Sequence, residues 1–114
     1  MSSEDSDRVA AVVFLKTRSG KSIRDFRDGA LPKVLEPYRA PDGVMEFVHH
    51  AFERLGFDVR LDLTGLMLFL NGSSLLFSDC FGSVITKPNV ELAPPEELKE
   101  FIEAIVVMRS PKYI

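Results

Sequence analysis

Chemistry by a small protein needs a nucleophile, a base or a set of metal ligands, and this 114-residue sequence offers few of each. Cys80 is the single cysteine. It falls at helical spacing with Leu76, Phe77 and Phe81 and reads as a small buried hydrophobe. Its place near a helix end gives a thiolate no support. His49 and His50 are adjacent, so on a helix they point about 100° apart and cannot chelate one metal from one face. One cysteine and two histidines fall short of the four ligands of a structural zinc site. Glu96, Glu97, Glu100 and Glu103 read as a solvated helix face. No serine sits in a Gly-x-Ser-x-Gly elbow, and no glycine-rich loop is set to cradle a phosphate. Arg18, Lys21, Arg24 and Arg27 recur every third residue, but Asp25 and Asp28 between them cancel much of the field. That series reads as a solvated face, and as a contact it suits an acidic protein partner better than nucleic acid. The expectation is therefore a protein with no catalytic residue, no metal and no cofactor.

The bulk properties exclude classes of function without naming one. The net charge is -3, which gives no global attraction to nucleic acid or to an anionic membrane. The chain is 46% hydrophobic and 27% charged, ordinary globular usage for a single domain. A lone cysteine rules out an internal disulfide framework. The opening MSSEDSDR lacks the positive charge and apolar run of an export signal. The longest apolar run, Leu66 to Leu70, is far short of the roughly 20 residues that cross a bilayer. A cytoplasmic location is expected.

Val9 to Thr17 (VAAVVFLKT) is rich in β-branched residues and predicts an internal strand. Gly20 to Gly43, with Pro32, Pro37 and Pro41, reads as a long irregular insertion, with a short helix possible around Ser22 to Arg27. Val44, Phe47, Val48, Ala51, Phe52 and Leu55 trace the apolar stripe of a helix, with Asp42 as its cap and Gly56 as its stop. Phe57 to Leu63 alternates and predicts a half-exposed strand showing Asp58, Arg60 and Asp62 outward. Thr64-Gly65 turns the chain into a second strand, Leu66 to Leu70, with Phe57 and Phe69 read as core. Asn71-Gly72-Ser73 reads as a turn, and Ser73 or Ser74 caps a helix running to Phe81 and stopped by Gly82. Ser83 to Thr86 is a short strand candidate. Pro94-Pro95-Glu96-Glu97 opens a third helix with Leu98, Phe101 and Ile102 on its apolar face. Ile105 to Met108 reads as extended and Arg109 to Ile114 as a tail.

The order strand, helix, strand, strand, helix, strand predicts an α+β, ferredoxin-like split βαβ sandwich, an antiparallel sheet with two helices on one face, plus a C-terminal helix and extended tail. Residues 1–8 are expected to form a disordered N-terminal tail, 9–108 the single domain with the 20–43 insertion inside it, and 109–114 the C-terminal tail.

A cadence of short motifs runs through Val44 to Thr86. A helix ends in Leu55-Gly56-Phe57-Asp58-Val59, a hairpin follows, and a second helix ends in Phe77-Ser78-Asp79-Cys80-Phe81-Gly82. With the stretch PPEELKEFIEAIVVMRSPKY from Pro94 to Tyr113, this resembles the prodomains of subtilisin-like and sedolisin-like serine peptidases. The resemblance implies an inhibitor and folding helper of such a peptidase; since the chain carries no catalytic Asp, His and Ser motifs of that class, it reads as a stand-alone inhibitor or as a prodomain apart from its peptidase. It implies that Arg109, Ser110, Pro111, Lys112, Tyr113 and Ile114 lie along the partner's substrate cleft as an added strand. Tyr113 and Ile114 would come nearest the peptidase serine, and Pro111 would stiffen the approach. Asp58, Arg60 and Asp62 on the outer sheet face would form a second docking contact. The alternative is a non-catalytic regulatory or oligomerisation module that binds another protein. Neither nucleic acid nor membrane is expected as a partner.

Overall fold

In the first strand, β1 (Arg8–Leu15), Val9, Ala11, Val13 and Leu15 point to one face and are buried there. Val12 on the opposite face is nearly as buried, as expected of an internal strand. The computed structural model describes residues 8–21, 36–62, 65–82, 85 and 87–109. After β1 come a 3-10 turn (Glu36–Tyr38), the helix α1 (Val44–Arg54) and the hairpin β2 (Asp58–Leu61) and β3 (Met67–Ser73). The helix α2 (Ser74–Phe81), the short β4 (Glu91–Leu92), a second 3-10 turn (Glu96–Leu98) and β5 (Ile102–Arg109) complete the described chain. The result is an α+β fold, an open five-stranded sheet in the order β2-β3-β1-β5-β4 with every neighbouring pair antiparallel.

Both helices lie on one face of the sheet. Val48 and Phe52 of α1 and Phe77 of α2 join Val9, Val13, Leu68, Leu70, Ile105 and Val107 in a single core. Phe57, between α1 and β2, links them: its ring meets those of Phe52 at 5.8 Å and Phe77 at 4.9 Å, both edge-on. The Ser73 hydroxyl accepts from the Leu76 backbone N–H at 3.1 Å and starts α2, and Gly82, at φ 73°, ends it. Among the described residues no helix is long and apolar enough to cross a membrane.

The structure corrects several expectations. Asn71-Gly72-Ser73 is not a turn but the end of β3, paired with Ala10, Val9 and Arg8. A side chain at Gly72 would meet Leu76 at 3.0 Å and Phe57 at 3.2 Å, so the glycine is there for helix packing. Asp42 does not cap α1. Gly43 holds that position at φ 83°, with no side-chain cap, and Asp42 instead meets Arg18 at 3.1 Å in an exposed ion pair. Among the described residues no C-terminal helix forms. Leu98 and Ile102 are buried as expected, but the proline-led segment makes only a 3-10 turn, Leu98 N–H to Pro95 C=O at 2.9 Å and Phe101 N–H to Leu98 C=O at 2.9 Å. The chain then enters β5 three residues earlier than the sequence implies, because its Ile and Val side chains complete the ladder beside β1. Arg109, read as tail, is the last residue of that strand.

The two ends of the 20–43 insertion are tied together. The Ser19 hydroxyl donates to the Pro37 carbonyl, and the Arg18 N–H reaches the Arg39 carbonyl at 3.4 Å. The possible helix at Ser22 to Arg27, most of the Ser83 to Thr86 candidate strand and the N-terminal residues 1–7 lie outside the described residues.

Candidate protein-docking face

Strand alternation decides what the second face of the sheet carries. Residues opposite one another in a ladder share a face, so the registers can be read straight across. One row runs Arg60, Phe69, Val12, Val106, Glu91 from β2 to β4. The next runs Asp58, Asn71, Ala10, Arg109 from β2 to β5. No described helix packs on these rows. Phe69, expected in the core, lies here, half-buried, between Arg60 and Val12.

A shallow groove of about 540 Å³ opens on this face. Its rim holds Arg8, Asp58, Arg60 and Arg109, and Ala10, Phe69 and Met108 are among its apolar lining. Arg8 Nε donates to Asn71 Oδ1 at 3.1 Å, which holds both side chains across β1 and β3. Arg60 and Asp58 approach to 3.7 Å in an exposed pair of little energetic weight. Met108 is 53% exposed, a large apolar side chain beside three arginines.

Three expected partner residues, Asp58, Arg60 and Arg109, are thus brought together. Asp62 is not among them. Its Oδ1 accepts from the N–H groups of Leu66 at 3.1 Å and Met67 at 3.2 Å, which makes it the brace of the β2–β3 turn. Asp62→Ala is expected to cost about 1–2 kcal/mol of stability by freeing these donors, read by urea unfolding, with Asp62→Asn recovering most of it. Ser110, Pro111, Lys112, Tyr113 and Ile114 lie outside the described residues. Sequence reading missed Arg8, Asn71, Glu91 and Met108. The signal for Arg8 and Asn71 was hidden because the register of β1 against β3 cannot be read from either strand alone.

The remaining chemical candidates stay apart. Burial, and then the charge of Glu97, push the Cys80 thiol up from its ordinary range, so it stays protonated and weakly nucleophilic at neutral pH. His49 and His50 both reach Glu53 at 3.3 Å on the helix surface. Among the described residues no group of His, Cys, Asp or Glu is placed to hold a metal ion. A smaller pocket of about 230 Å³ is lined by Phe47, Ala51, Leu55 and Leu98, with Arg54 and Glu97 as its charged residues.

No family model matches the chain, and no curated protein or solved structure matches it at a significant level.

Proposed function

We propose that this chain is a non-catalytic inhibitor of a subtilisin-like serine peptidase, built on a ferredoxin-like split βαβ sandwich with β4 as an added edge strand. Without β4 the strand order is β2-β3-β1-β5, the order in which β3 splits the β1–α1–β2 unit. The observation that carries the function is the second sheet face. It has no described helix on it, it carries the half-buried Phe69 and Val106 on either side of the buried Val12 between charged rims, and β5 ends at Arg109 on the lip of its groove. A folded face that docks on the peptidase beside a chain end that enters the substrate cleft is a two-contact inhibitor. The residues from Arg109 to Ile114 supply the cleft contact, and Asp58 and Arg60 belong to the docking contact.

The test is inhibition itself. The full chain is titrated into subtilisin-type peptidases with a chromogenic peptide substrate, and competitive inhibition is the expected result. Binding to the peptidase without inhibition, or no binding across the panel, overturns the reading. The first of these outcomes favours a regulatory module on the same fold instead.

A further inference from the structure

We propose that the second face of the sheet also pairs with a second copy of this chain, in a reversible two-fold dimer whose axis runs along β1. The inference stands on the registers and not on the peptidase reading; a copy and a peptidase would compete for one face.

β1 is the middle strand, with two strands on either side. The row through Val12 has a cation at one edge, Arg60, an anion at the other, Glu91, and three apolar residues between. Both charged residues are exposed. A two-fold axis parallel to β1 lays β2 of one copy over β4 of the other. Arg60 then faces Glu91 twice and Phe69 faces Val106 twice, with the buried Val12 of each copy behind them near the axis. A two-fold axis across the strands would instead put Arg60 over Arg60 and Glu91 over Glu91, which charge repulsion disfavours. The adjacent row agrees with the first arrangement. Asp58 of the second copy falls one strand, about 4.8 Å, from Arg109. Self-complementarity of this kind is what an isologous interface requires.

One contact opposes the pairing. Arg8 on β1 lies near the axis and faces its own copy, although its bond to Asn71 draws it toward β3. The patch is also small. Five strands span roughly 19 Å and the rows of this face roughly 20 Å. That is well under the ~800 Å² per partner of a standard interface, so the dimer exchanges readily with monomer.

Sedimentation equilibrium of the full chain from about 5 to about 500 µM reads this directly. The mass is expected to climb from 12.8 kDa toward twice that value. Arg60→Glu alone, and Glu91→Arg alone, should each raise the dissociation midpoint about tenfold, and the two together should restore it. Arg8→Gln should lower it. Arg60 and Glu91 sit exposed on edge strands, so the reversals leave the fold in place, which circular dichroism checks. A monomer at every concentration, or a dimer indifferent to both reversals, overturns the proposal. Neither result touches the inhibition assay, so the peptidase reading is judged separately.

Discussion

A chain cut after Arg109 is expected to keep its fold and to lose at least about a hundredfold in inhibition of its peptidase, the gain that a second tethered contact supplies. The fold should survive because every β5 residue in the ladders with β1 and β4 lies within Ile102 to Arg109. Inhibition should not survive, because in the proposed mechanism the folded face holds the protein on the peptidase while the five missing residues fill the cleft. The shortened chain should still bind, weakly, through the groove face. Steady-state inhibition constants measure the loss, and thermal unfolding checks the fold. An equal inhibition constant for the cut chain removes the cleft contact from the mechanism.

Phe77→Ala is expected to destabilise the domain by about 3–5 kcal/mol, the range for emptying an aromatic site in a close-packed core. The ring is fully buried, 4.9 Å from Phe57 and 5.7 Å from Phe81. Phe57 in turn abuts Phe52, so these rings join α2 to α1 above the sheet. A domain of this size has a total stability of about 5–15 kcal/mol, so a large share would go. Urea unfolding should show the lower midpoint. Leu75, two residues away and 69% exposed, provides the control: Leu75→Ala should change stability by less than about 0.5 kcal/mol.

The parts of the fold legible in the sequence are those fixed by local rules. The stripe through Val48 and Phe52 defined α1, with its stop at Gly56, and Ser73 and Gly82 bounded α2. The alternation around Val59 gave β2 and turned Asp58 and Arg60 outward. The misread parts are those where a distant strand overrides a local preference. Asn71-Gly72 is turn chemistry by composition, yet β1 recruits it into a ladder, and the missing side chain at Gly72 admits Leu76 and Phe57. Pro94 to Glu97 carries the marks of a helix start, yet hydrogen bonds from β1 to Ile102 and beyond leave room for one tight turn. Asp42 sits one residue too early, because the backbone takes its left-handed step at Gly43. The proposed docking face was half legible for the same reason. β2 declared its outward residues, while Arg8, Asn71 and Glu91 joined them only through pairings between strands far apart in the chain.

The placement of β1 between β3 and β5 has a consequence for biosynthesis. Among the described strands, the one at the heart of the sheet is made first and one of its two flanking neighbours is made last. Until that final strand emerges, one full row of backbone donors and acceptors on the nascent chain has nothing to pair with. Folding of this domain must therefore await synthesis of β5, and a ribosome arrested before it would display a sticky, half-zipped intermediate suited to chaperone capture.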